Sequence, residues 1–296
     1  MSMPELPDRL NAAAVLVDSH LDAGRADKPA ILCGERTVTY AGLHEGVNRL
    51  GNALGDLGVR IEERVAILLP DTPEWAMAFF AAMKIGAVAV PMNTMLKPRD
   101  YAYLLNDSRA RVLVVDPALL DRIDPIRGEL KYLEHVVVRG EPPAGDLALE
   151  EITAAASPSL TPAETSKDEQ AFWLYSSGTT GFPKGAMHLH HDMIVEAELY
   201  ARQTIGLAES DVSFSVAKLF FAYGLGNGLY FPLYLGGTTV LLPGRPTPDA
   251  VYEQIDRHRP TDHPDHERGG QGGERFCGRQ PGHHHGPGRG PSRPSC

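Results

Sequence analysis

Apolar side chains recur along this chain in two rhythms. Leu43, Val47, Leu50, Leu54 and Leu57 are spaced by three and four residues, the repeat of a helix that buries one face. Helical patterns also cover Pro73 to Lys84 and a stretch from about Pro98. Between and beyond them lie short apolar runs at Val65–Leu69, Ala87–Val90, Val112–Val115 and Val136–Val138. Such runs have no polar face, which predicts strands of a parallel sheet covered by helices on both sides. Further strands are predicted at Phe172–Tyr175, Val212–Val216 and Thr238–Leu242. The alternation predicts an α/β fold with mixed and parallel sheets, right-handed crossovers and flanking helices. Residues 140–166 are rich in Pro, Ala, Ser and Thr, so a surface connection with one short helix is expected there, separating two blocks of strands.

Two stretches are apolar enough to suggest membrane spans. Lys84 interrupts the first, Trp75–Met92. In the second, Leu219–Pro243, Gly224, Gly226, Asn227, Gly228, Pro232, Gly236 and Gly237 predict a helix, a turn and a buried strand instead. No membrane association is expected. The last 35 residues differ in kind: positions 262–296 hold nine glycines, five prolines, five arginines and five histidines, with Phe276 as the single large apolar side chain. That composition cannot bury a core. Residues 1–261 are therefore read as a folded domain, and 262–296 as a disordered tail or the product of a shifted reading frame. A metal site built from His263, His266, Cys277 and His283–His285 fits no zinc spacing, and no metal ligand is assigned anywhere.

Composition narrows the function class. With 43% apolar and 22% charged residues in 296, the chain can bury a large core. Its net charge of −10 gives no general attraction to nucleic acid or anionic lipid, so small molecules are the expected partners; no oligomeric state is assigned. Three cysteines offer no disulfide framework and the N-terminus lacks the features of a signal peptide, so a cytoplasmic location is expected.

The segment Tyr175–Gly185, YSSGTTGFPKG, carries the chemistry. It follows a predicted strand and precedes a helical stretch expected to begin near His188. Gly178, Gly181 and Gly185 permit close backbone approach or positive φ. Ser176, Ser177, Thr179 and Thr180 offer hydroxyls, and Lys184 a mobile positive charge. A helix N-terminus just downstream is expected to add its partial charge. This is a phosphate cradle, but not the G-x-x-x-x-G-K-[ST] loop of nucleoside triphosphatases. Here the lysine follows Pro183, and Gly185 stands where a Ser or Thr would bind magnesium.

The loop resembles the phosphate-binding signature [ST]-[ST]-G-[ST]-[ST]-G-x-P-K-G of the adenylate-forming, or AMP-binding, superfamily, at every position. The resemblance runs from about residue 10 to 261 and includes TVTYAGL, RVAILLPDTPEW and KIGAVAVPMNTML. Within the superfamily the chain is most similar to the benzoate-CoA ligase group, through DYAYLLNDSRARVLVVD, the His188-x-His190 pair and AKLFFAYGLGNGLYFPL. The resemblance implies the N-terminal part of a large adenylate-forming domain. It also implies an acid–thiol ligase that joins a benzoate-like carboxylate to coenzyme A through an acyl-adenylate, using ATP and Mg2+. Ser176, Ser177, Gly178, Thr179, Thr180, Gly181 and Lys184 would bind ATP phosphates, with Lys184 in a catalytic role. Phe220, Ala222, Tyr223 and Gly224 would line the acid pocket, Ala222 and Tyr223 most directly. For Phe221, core packing and a pocket wall are equally weighted.

His188, His190 and His191 are expected to cap and pack a helix start. His135 and His258 are expected at the surface, and Lys218 belongs to the similar stretch without an assigned role. The later superfamily segments, and the small C-terminal domain with its adenylation lysine, find no counterpart in residues 262–296. The chain as written is therefore expected to be a truncated form that does not make acyl-CoA. Alternatives are a ligase for another aryl or alicyclic acid, and a non-enzymatic ATP-binding fragment.

Overall fold

The strand runs with no polar face become the middle of a sheet covered on both sides. The computed structural model describes residues 2–176 and 181–261. Its first two strands, β1 (Pro29–Cys33) and β2 (Arg36–Thr39), pair antiparallel; the sequence pattern did not predict them. Next come β3 (Arg64–Leu68), β4 (Val88–Pro91), β5 (Ala110–Val115) and β6 (His135–Val138), then the two-residue β7 (Leu147–Ala148). Two longer strands follow, β8 (Gln170–Ser176) and β9 (Lys184–Leu189). These seven form one sheet in the order β7-β6-β5-β3-β4-β8-β9. Every neighbouring pair is parallel except β8 and β9.

Alternate residues of the central strands feed two separate cores. Val65, Ile67, Val112, Val114 and Val137 pack with Leu43, Val47, Leu50 and Leu54 of the helix Tyr40–Asp56, and with Trp75, Phe79 and Phe80 of the helix Pro73–Lys84. Ala66, Leu68, Leu113, Val115, Val136 and Val138 pack on the other face against Tyr101, Leu104 and Leu105 of the helix Pro98–Ser108. Each large apolar side chain so buried contributes about 1.5–3 kcal/mol. Both Pro73 and Pro98 open their helices at positions where no N–H is required. Lys84 closes its helix fully buried, donating to Asp18 at 2.7 Å and Asn48 at 2.6 Å. A buried ammonium is tolerated only with such partners.

Residues 140–166 contain the expected short helix, Leu149–Ala155, but they do not separate two blocks of strands. After this connection β8 returns to the free side of β4, where Ala89 pairs with Phe172. Asn48 and Asn52 hold the connection to the helix Tyr40–Asp56 through the carbonyls of Pro158, Ser157 and Ser159. A second sheet, β10-β11-β1-β2, joins β10 (Val212–Phe214) and β11 (Thr238–Val240) to the early hairpin. The glycine-rich stretch before β11 is a helix, Ala222–Leu225, a π-helical turn, Gly226–Tyr230, and a second helix, Phe231–Leu235. Among the described residues no helix is long and apolar enough to cross a membrane. The expected tail, residues 262–296, lies outside the described residues.

Candidate functional site

The loop that carries the phosphate signature is the turn of the β8–β9 hairpin. Ser177, Gly178, Thr179 and Thr180 lie outside the described residues. Their flanks are paired, with Tyr175 opposite Gly185 and Ser176 opposite Lys184. Gly181 takes φ +142°, which a side chain would strain. The helix expected to begin near His188 begins at His190 and runs to Glu196, but a strand, KGAMHL of β9, separates its N-terminus from the loop. Pairing with β9 satisfies the outer backbone groups of β8, which would otherwise remain an open sheet edge.

Aromatic side chains brace the hairpin. Tyr103 stacks on Phe182 at 4.7 Å and donates to the Pro183 carbonyl at 3.1 Å. Tyr175 donates to Asp107 at 2.7 Å, and burial together with that carboxylate pushes its phenol pKa up. Ser176 and Lys184 are exposed. Among the described residues the Lys184 ammonium has no hydrogen-bond or ion-pair partner, so its charge is available to an anion.

Beside the hairpin lies a cleft of 390 Å³. Phe172 and Leu174 of β8 and His188 of β9 form one wall; Ala222, Tyr223, Asn227 and Tyr230 face it from the glycine-rich helices, and Glu196 and Tyr200 close the side. The ring of His188 lies flat on Phe172, 4.5 Å away at 5°. Leu174 and Ser176 are two residues apart on one strand, about 7 Å, so the cleft wall and the described flank of the loop share β8. Among the described residues no group of three or more His, Cys, Asp or Glu side chains converges on a point that could hold a metal.

Of the residues expected to line an acid pocket, Ala222 and Tyr223 do line this cleft. Phe220 is buried behind it, against the ring of Phe221 at 4.5 Å. Gly224 is buried where an added Cβ would come within 2.2 Å of the Lys218 carbonyl oxygen, so a close backbone approach demands glycine. Phe221, weighed equally between core and pocket wall, is 46% exposed and belongs to neither.

Lys218 now has a structural role. Its ammonium pairs with Asp71 at 3.0 Å and donates to the carbonyls of Leu242 at 2.5 Å and Gly244 at 3.3 Å. Asp71 also accepts from the Leu219 amide at 3.3 Å. Burial raises the Asp71 pKa, and Lys218 opposes the rise. The pair fastens the chain just ahead of Ala222 to the end of the central sheet.

The histidines divide. His190 is fully buried and its Nδ1 accepts from the Ala12 amide at 3.1 Å; burial pulls its pKa down to about 4. His191 contacts the Lys167 carbonyl at 3.0 Å and Asp168 at 3.1 Å. Asp192 caps the helix by accepting from the Leu189 amide at 2.9 Å. Capping and packing thus account for His190 and His191, whereas His188 stands in the cleft wall. His135 and His258 are half-buried. Sequence reasoning missed Glu196 and Tyr200 as lining residues, and the Glu196 bond to Tyr230; these residues are brought together by packing, with no local signal.

A family model described as "AMP-binding enzyme" matches residues 19–264. The chain is 47% identical over 257 residues to a benzoate–CoA ligase of Thauera aromatica, covering 86% of this chain and 48% of that protein. It is 43% identical over 251 residues to a 4-hydroxybenzoate–CoA/benzoate–CoA ligase of Rhodopseudomonas palustris, covering 85% and 46%. An anthranilate CoA ligase solved with anthranoyl-AMP superposes with a TM-score of 0.86 at 42% identity, over 89% of this chain and 51% of that one. The chain spans about half the length of these relatives.

Proposed function

The chain belongs to the AMP-binding enzyme family, and from that premise we propose that it carries the phosphate loop and the acid pocket of an aromatic acid–CoA ligase. The whole reaction is proposed for these residues together with the half of the relatives that the chain does not span. In the first step a carboxylate oxygen of the acid attacks the α-phosphorus of ATP. The bond to the bridging oxygen breaks, pyrophosphate leaves with the electron pair, and an acyl-adenylate forms. In the second step the thiolate of coenzyme A attacks the acyl carbonyl and AMP departs, leaving the thioester.

The part of Ser176–Lys184 is electrostatic. Amides and hydroxyls of Ser176, Ser177, Gly178, Thr179, Thr180 and Gly181 hold the β- and γ-phosphates, and Lys184 stabilises the charge that collects on departing pyrophosphate. Magnesium, bound to the ATP phosphates, would neutralise part of their charge; no residue of this chain is assigned to it. Ala222 leaves room for a flat ring beside Tyr223, while Phe220 and Gly224 support that wall from behind.

The observation that supports this reading is the shared hairpin. Phe172 and Leu174 line the cleft, and the same strand runs directly into the loop at Ser176. An acid held against that wall therefore has its carboxylate within reach of a nucleotide held by the loop, and fixed orientation of that kind is itself a large part of catalysis. The relatives' names, benzoate, 4-hydroxybenzoate and anthranilate, keep the acid aromatic.

A chimera tests the proposal. Residues 1–261 joined to the matching remainder of a benzoate–CoA ligase should convert benzoate, ATP and coenzyme A to benzoyl-CoA, and Lys184→Ala should slow adenylation at least tenfold. A folded chimera that activates only aliphatic acids would overturn the assignment.

A further inference from the structure

The cleft beside the hairpin holds an acidic side chain that nothing so far explains. Glu196 ends the first helical segment after β9, and its carboxylate accepts a hydrogen bond from the Tyr230 hydroxyl. Tyr230 is only 4% exposed, so a buried phenol holds Glu196 in one orientation at the cleft wall. Among the described residues Glu196 has no ion-pair partner, and no lysine or arginine lines the cleft. Of the other titratable groups around it, His188 lies 3.6 Å from Asp192, and Tyr200 and Tyr223 stand at the mouth.

A bound carboxylate is disfavoured beside Glu196, because like charges repel at contact distance even where the side chain is open to water. An acid in this cleft must turn its carboxylate toward the hairpin loop and its opposite end toward Glu196. A ring carbon bearing only hydrogen offers that carboxylate nothing, whereas a hydroxyl or amino group donates a charge-assisted hydrogen bond to it. The cleft of 390 Å³ leaves space for such a substituent.

We propose that Glu196, oriented by Tyr230, is a specificity-determining residue that selects aromatic acids carrying a hydrogen-bond donor on the ring, aminobenzoates or hydroxybenzoates, over benzoate itself. This rests on reading the cleft as the acid pocket. It also sets the direction of binding, with the donor end at Glu196 and the carboxylate end at the loop.

Calorimetric titration of the whole chain with benzoate, 3- and 4-hydroxybenzoate, 3- and 4-aminobenzoate and terephthalate tests it. The best donor-bearing acid should bind about tenfold tighter than benzoate, the value of one hydrogen bond to a charged group. Terephthalate, whose second carboxylate would meet Glu196, should bind worse than benzoate. Glu196→Gln should shrink the donor preference to less than about threefold and bring terephthalate level with benzoate, because it removes the charge and keeps the shape. Glu196 is exposed, so this variant should fold. If benzoate binds as tightly as every substituted acid to the unaltered chain, the selectivity is wrong and the pocket assignment survives. Should no aromatic acid bind, the pocket assignment itself falls and the selectivity with it.

Discussion

The middle of the seven-stranded sheet and its β8–β9 edge are made of the same kind of element and do opposite work. β3 to β6 are buried on both faces apart from Arg64, Arg111 and His135, and their buried side chains are mostly aliphatic and contribute volume and area. The β9 edge is largely exposed and carries Gly185, and its Lys184 has no partner among the described residues. Stability is concentrated where chemistry is absent. The cleft sits at the boundary, with Phe172 and Leu174 belonging both to the core and to the cleft wall.

The sharpest way to break this division is through the core. Leu113 is fully buried in the core that does not include Phe172 and Leu174. Leu113→Ala should cost about 2–5 kcal/mol, read as a lowered urea midpoint, while the folded fraction keeps its acid affinity. If affinity fell in proportion to stability, core and cleft would not be separable.

Lys218→Met comes next, because it leaves Asp71 buried without its counter-charge. A loss of about 3 kcal/mol is expected, together with weaker acid binding, since Lys218 fastens the segment that leads to Ala222. Adding Asp71→Asn should recover most of the stability, and a double variant no better than the single would refute the pairing.

Protonation probes the interior without mutation. His20 and His190 are buried and held down to about 4, chiefly by desolvation, against an ordinary value of 6.5. The unfolded chain therefore binds protons between these limits that the native state refuses, and stability falls as pH drops from 6.5 toward 4. Above 6.5 neither state is protonated and the effect vanishes. Each histidine can contribute up to about 3 kcal/mol to the loss. Urea midpoints at pH 7, 6 and 5 measure it, and His190→Gln should flatten the slope; an unchanged slope would contradict the burial assigned to His190.

The smallest stability effect belongs to the residue with the largest proposed role. Lys184→Ala should move stability by no more than about 0.5 kcal/mol, as for exposed positions generally. It should weaken pyrophosphate binding to the chain about tenfold, the loss of one charge-assisted contact. Unchanged pyrophosphate affinity would remove Lys184 from the phosphate site.

Much of the sheet was legible because burial on two faces leaves a run of apolar letters. The helix Pro73–Lys84 was read to both its ends, since Pro73 marks its start and Gly86 follows its last turn. β2 escaped because it is polar and half-exposed, and β1, its antiparallel partner, escaped with it. β9 was read as loop and helix because KGAMHL has a glycine, a lysine and no consistent alternation. Its pairing with β8 is a long-range demand of the sheet edge. Ala222 and Tyr223 were found through family resemblance, whereas Lys218 and Asp71 lie 147 positions apart and Glu196 and Tyr230 34 apart, so no spacing rule could join them.

The sequence by itself determined the family, the central α/β alternation and the glycine- and hydroxyl-rich signature of the loop. Each is written in local runs of residues whose type is forced by backbone geometry or burial. Only the tertiary structure decided that the loop turns within a hairpin, that this hairpin also walls a cleft, and that a tyrosine-held carboxylate stands inside it. Those arrangements depend on which distant surfaces pack together, and packing energy is shared among many residues and leaves no mark at any one of them.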